Sequence, residues 1–120
     1  MKHLLLTTIA AVLVVGCGPP EPPDISIHEA AEQGNIEAAK QHLAAGTDVD
    51  AKDDDGRTTL LHAAYQGNNE IAELLIAKGA DLNVKNKVGY TPLDVAILND
   101  RTETADLLRK HGGKTGEELK

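Results

Sequence analysis

Glycines recur along this chain at a fixed interval of 33 residues: Gly34 and Gly67, then Gly46, Gly79 and Gly112, then Gly56 and Gly89. Ala30, Ala63 and Ala96 keep the same interval, as do Glu37, Glu70 and Glu103, and Ala39, Ala72 and Ala105. No other feature constrains the fold as much. A unit of this length cannot bury an apolar face alone and must close its core against its neighbours. The period covers residues 25–114, room for about three units, which is about the minimum that stacking can stabilise.

Within each period the residues spell two short helices and a turn. Thr91-Pro92 sets a hydroxyl at the N-cap and proline at the first helical position, where its missing amide costs nothing. Thr58-Thr59 keeps the cap without the proline, so the middle unit's first helix starts less firmly. The pairs Ala30-Ala31 and Ala63-Ala64 let neighbouring backbones approach closely. Gly34 and Gly67 then end the helix, and Asn35 and Asn68 offer caps for the next one. The second helix carries Ile71, Leu74 and Leu75 at helical spacing, with Glu70 in its first turn, Lys78 in its last, and Gly79 after it. Asp48-Val49-Asp50-Ala51 and Asp81-Leu82-Asn83-Val84 run extended into turns near Gly56 and near Asn86 and Gly89.

Gly89-Tyr90-Thr91-Pro92-Leu93-Asp94-Val95-Ala96 and Gly79-Ala80-Asp81-Leu82-Asn83 resemble the ankyrin repeat, whose pattern is G-x-T-P-L-H-x-A-A, a G-x-x-E turn, then G-A-D-x-N. The resemblance covers about residues 25–114 and implies an all-α solenoid of about three helix-turn-helix repeats with projecting β-turn tips. One departure stands out. In Gly56-Arg57-Thr58-Thr59-Leu60-Leu61-His62-Ala63-Ala64, Leu61 fills the histidine place and His62 follows it, which leaves open whether the histidine's bonds to the turn carry over to this repeat. His28 fits the place in the first repeat and Asp94 fills it in the third. The outer repeats should be atypical, because their outer faces meet water. Gln41 and His42 stand where the second repeat has Leu74 and Leu75, and Arg109 and Lys110 stand where it has Ile76 and Ala77. Residues 115–120 read as a C-terminal tail, frayed from Glu117 onward.

The first residues read as an address. Met1-Lys2-His3 is a basic start, and residues 4–15 are apolar except for Thr7 and Thr8, as a secretory signal requires. The run is shorter than the roughly 18 residues that a transmembrane helix needs. Val14-Val15-Gly16-Cys17 resembles the bacterial lipobox, which implies that residues 1–16 are removed and that Cys17 receives diacylglycerol and an acyl chain such as palmitate. At roughly 0.8 kcal/mol per buried methylene, two or three chains hold a protein on a bilayer where one lets it leave. Gly18 after the cysteine, instead of Asp, favours by resemblance an outer membrane, with the domain facing the periplasm. Residues 17–24 then form a linker whose four prolines exclude helix and sheet, giving roughly 20 Å of spacer. Removing Lys2 takes the side-chain charge from −7 to −8.

Composition narrows the function. With 19 acidic against 12 basic residues, no Phe or Trp and two Tyr, the chain lacks both the cationic clusters and the stacking platforms of a nucleic-acid binder. Asp48, Asp50, Asp53, Asp54 and Asp55 do not form a calcium loop: with Gly56 sixth, Ala51 would be first and His62 twelfth. Gly113-Lys114-Thr115 imitates the end of a phosphate-binding loop, but Leu108 stands where its first glycine belongs. His28, His42, His62 and His111 lack zinc spacing, and Ser26 is the only serine. Neither cofactor, metal, small-molecule substrate nor catalysis is expected.

The expected function is therefore a lipid-anchored protein-protein interaction module, an adaptor or scaffold in the bacterial cell envelope, with an unidentified protein as partner. The alternative is an immunity-type or inhibitory lipoprotein that binds a cognate toxin or enzyme. The resemblance implies contact positions on turn tips and first helices. They are Glu32, Gln33 and Lys52 in the first repeat; Asp54, Asp55, Arg57, Tyr65, Gln66 and Lys85 in the second; Lys87, Val88, Tyr90, Leu98 and Asn99 in the third. Tyr65 and Tyr90 are the expected anchors, since tyrosine is favoured at interfaces. Acidic Asp54 and Asp55 opposite basic Lys85 and Lys87 would orient the partner.

Overall fold

Each of the three repeats folds into a pair of short antiparallel helices, and the caps explain where each helix begins. A computed structural model describes residues 24–120. The expected signal peptide, Cys17 and most of the proline linker lie outside the described residues. The helices are α1 (Ile27–Gln33), α2 (Ile36–Ala44), α3 (Thr59–Gln66), α4 (Asn69–Ala77), α5 (Pro92–Leu98) and α6 (Thr102–Lys110). Ser26, Thr58 and Thr91 cap the first helix of each pair, each accepting a backbone N–H three residues on. Thr91 and Asp94 complete a capping box, with Pro92 at the start of α5. Thr59, where the third repeat has that proline, buries a hydroxyl that finds no hydrogen-bond partner. The extended segments between repeats form no strand among the described residues, only an isolated bridge between Lys52 and Thr58.

The first helices stack side by side because their facing residues are small. Ala30, Ala31, Ala63, Ala64 and Ala96 are fully buried. Larger side chains fill the space between the two helix layers: Leu60, Ile71, Leu75, Leu93 and Leu108 are almost wholly excluded from water. Full burial of such a side chain is worth roughly 1.5–3 kcal/mol, so these five dominate an aromatic-free core. The first hairpin is thinner, closed by Ala30, Ala38 and Ala39 with Ile25 and Leu74 against them.

Polar bonds repeat with the same period as the glycines. The Asp50 carboxylate accepts the N–H of Asp81 at 2.9 Å, and Asn83 accepts that of Lys114 at 2.8 Å, tying each repeat to the chain that follows. Asn35 caps α2 as expected, but Asn68 does not cap α4; its amide instead donates to the carbonyl of Ala31 in the preceding repeat. Arg101, one period later, likewise donates to the Tyr65 carbonyl at 3.0 Å. Its side chain lies so close to Gly67, at φ 75°, that a Cβ there would stand 2.8 Å from Arg101 Cδ.

At the ends of the stack Gln41, Arg109 and Lys110 face water as expected, with one exception. His42 is buried: its Nε2 lies 2.7 Å from the Ile25 carbonyl and its Nδ1 3.3 Å from the Thr47 hydroxyl, so it fastens the chain entering α1. A leucine at this register would leave that carbonyl unpaired, which is why a polar ring stands here. At the other end the chain after α6 is tied back onto the third repeat as far as Gly116. Asp94 Oδ2 accepts the N–H of Gly116 at 2.8 Å, and Thr91 donates its hydroxyl to the Lys114 carbonyl at 2.6 Å. Gly116 fits because a Cβ there would meet the Gly89 carbonyl oxygen at 2.7 Å. Beyond it the chain turns once, with the N–H of Leu119 bonded to the Thr115 carbonyl.

Candidate protein-binding groove

The turn tips that project beside α3 and α5 are shaped by one polar side chain each. Asp53 Oδ1 accepts the N–H groups of Asp55 and Arg57, both at 2.9 Å. Asn86, one period later, accepts those of Val88 at 3.0 Å and Tyr90 at 2.9 Å. Each tip therefore presents its third and fifth residues at a fixed angle to the helix that follows. Between the tips and the exposed faces of α3 and α5 runs a groove of about 500 Å³.

The floor and far wall of this groove are apolar. Tyr65 and Leu98, at the ends of α3 and α5, are 54% and 61% exposed, and Val88 and Tyr90 on the third tip are 71% and 42% exposed. Leu61 and Val95 form the base. Four large apolar side chains held in contact with water around one concavity are what a partner surface would cover.

The near wall is polar and largely occupied by its own bonds. His62 is 6% exposed; its Nε2–H donates to Asp53 Oδ2 at 2.7 Å and its Nδ1 lies 3.3 Å from Glu32 Oε2. Its ring meets that of His28 edge-on at a centroid distance of 5.5 Å. His28 in turn reaches the Ala51 carbonyl at 2.8 Å, in the place where the sequence puts a turn-bonding histidine. The middle repeat does bond its turn, through His62 and the Asp53 side chain instead of a carbonyl, a point that Leu61 in the histidine place had left open. Burial works to raise the Asp53 pKa, but the N–H of Arg57, the His62 bond, the N–H of Asp55 and the Arg57 charge outweigh it. They hold the Asp53 carboxyl well below the usual range, so it stays ionised. Arg57 pairs with Asp53 at 3.4 Å and with Asp55 at 3.0 Å.

Of the contact positions named from the sequence, the groove gathers Glu32, Arg57, Tyr65 and Gln66 with Val88, Tyr90, Leu98 and Asn99. Asp55 and Lys87 line a shallower depression beyond Arg57, over Gly56. Gln33, Lys52, Asp54 and Lys85 are exposed but line neither. Leu61, His62, Asn86 and Val95 belong to the groove and were not among the expected contacts. Asn86 carried a signal, its 33-residue offset from Asp53; Leu61 and Val95 gave none, since apolar residues on a first helix read as core.

Stacked helical hairpins with a concave face of turn tips and first helices define a repeat-type protein-protein interaction module. A family model described as ankyrin repeats, in three copies, matches residues 27–117, and the chain belongs to the ankyrin-repeat family. That family is generally a non-enzymatic binding module. No curated protein matches the chain.

Proposed function

We infer that this chain is an adaptor of a bacterial cell envelope, anchored by lipid on Cys17, that holds a partner protein in the groove between α3, α5 and their turn tips. One observation carries the binding site: Tyr65, Val88, Tyr90 and Leu98 surround one concavity and are all substantially exposed. Leaving them in water costs free energy that a partner would recover by covering them. The site residues other than those in the groove contribute, in this reading, to orientation instead of affinity: Asp54, Asp55, Lys85 and Lys87 are exposed charges on the turn tips.

The anchor rests on sequence alone: a basic start, an apolar run, and Gly16-Cys17 in register, followed by Gly18 and prolines. Among the described residues no helix is long and apolar enough to cross a membrane. The domain would be set off the lipid by the linker, probing for partners on the periplasmic side. Crosslinking in intact membranes followed by mass spectrometry tests both parts at once. The adaptor reading expects a diacylglyceryl-modified Cys17 and one partner whose crosslinks fall on the groove. An unmodified thiol would remove the anchor, and crosslinks confined to α2, α4 and α6 would remove the groove.

A further inference from the structure

We propose that the groove takes a partner segment in which an arginine adjoins an apolar side chain, the apolar group against Tyr90, Val88 and Leu98 and the guanidinium against Glu32. This specifies the partner of the proposed protein-binding site and rests on that reading.

One carboxylate at the groove is left short of donors. The arginine that lines the groove, Arg57, is already engaged by Asp53 and Asp55. Asn86 spends its side-chain oxygen on Val88 and Tyr90, and Asn99 donates its amide to the Val95 carbonyl at 2.8 Å. His62 points one nitrogen at Asp53 and the other at Glu32. Three carboxylates, Glu32, Asp53 and Asp55, therefore face one guanidinium and one imidazole. Asp55 and Lys87 both line the neighbouring depression, so the carboxylate left at the groove itself is Glu32, whose one side-chain partner is the His62 ring. Of the three, Asp53 is enclosed by backbone N–H groups and His62, whereas the Glu32 side chain is 44% exposed at the groove edge. A carboxylate has more acceptor sites than one ring nitrogen at 3.3 Å can fill, so Glu32 keeps capacity for a further donor. Lys87 does not offset this, because it lies over Gly56 in the neighbouring depression.

An incoming cation supplies the missing donors. A planar guanidinium can pair with the Glu32 carboxylate while its face lies on a tyrosine ring, and Tyr65 stands in the same groove as Glu32. Lysine offers the charge without the plane. Acidic segments would meet an uncompensated carboxylate.

Selection of a random dodecapeptide display library on the full chain in a nonionic detergent tests this. The expected clones carry arginine beside Leu, Ile, Phe or Tyr. They lose at least tenfold in affinity with Glu32→Gln and with Tyr90→Ala, and to the same degree when their own arginine is replaced by glutamine. That last substitution leaves the protein untouched, so a misfolded variant cannot produce the result. Clones that need Tyr90 but are acidic or neutral, or that ignore Glu32→Gln, would overturn the charge assignment while leaving the groove standing. Clones indifferent to Tyr65 and Tyr90, or no enrichment at all, would overturn the groove reading and this proposal with it.

Discussion

His62 Nε2 and Asp53 Oδ2 lie 2.7 Å apart, joining the core of the second repeat to its projecting tip. The same carboxylate organises the tip through the N–H groups of Asp55 and Arg57, so one side chain sets both the turn and its angle to α3. Replacing it removes several bonds together. Asp53→Ala should cost about 1–3 kcal/mol in urea unfolding, the range for losing partners of buried polar groups. Because its folded pKa lies below the unfolded value of 3.8, the stability from its ionisation is full above that pH and lost as pH falls toward the folded value. The gap between wild type and Asp53→Asn should therefore be constant from neutrality down to about pH 5 and shrink below about pH 4.

Thr59 is the weak start of α3. Its buried hydroxyl has no partner, and it occupies the register that Pro92 fills in the third repeat. Thr58 before it is extended, at φ −82° and ψ 166°, which proline accepts in its predecessor. Thr59→Pro should raise stability by about 1 kcal/mol, by stiffening the unfolded chain and removing the orphan hydroxyl. A thermal unfolding midpoint that stays level or drops would show that the site does not accept the ring.

How much of this was legible in the sequence depends on the range of the interaction. Thr91-Pro92, Gly34, Gly67 and Asn35 act within a few residues, and their roles follow from local chemistry alone. Asn68 offered a cap by the same logic, yet its side chain bonds Ala31, 37 residues away, because the neighbouring repeat competes for it. The role of His62 was open for a similar reason. Its place is one residue off the family pattern, a step that turns the side chain by about 100° around the helix axis, and the ring lies between Glu32 on α1 and Asp53 on the tip. The groove was legible in its rim, since Tyr65, Val88 and Tyr90 are apolar where a solvated surface is expected. Its base was not: Leu61 and Val95 serve core and groove together.

The entering chain depends on His42. Its ring fills a register that holds leucine in the other repeats and bonds the Ile25 carbonyl. His42→Ala should destabilise by about 2 kcal/mol, and the amides of α1 should exchange faster than those of α5. Uniform acceleration across all three repeats would mean that the stack opens as one unit.

At the far end Asp94 joins the α5 cap to the terminal segment, through Thr91 and Gly116. Gly116→Ala brings a Cβ against the Gly89 carbonyl oxygen and should release residues 114–119, seen as lost amide protection there with α3 and α4 unaffected. Asp94→Ala should release the same segment and also cost about 1–2 kcal/mol for the cap.

A partner seated in the groove should be captured by a photoreactive benzoylphenylalanine in place of Val88, with the same residue in place of Glu73 on α4 as the comparison. Irradiation of cells should give one adduct from position 88, lost when Tyr65→Ala and Tyr90→Ala are combined, and none from position 73. The same adduct from position 73, or an adduct at 88 that survives both tyrosine replacements, would contradict the account.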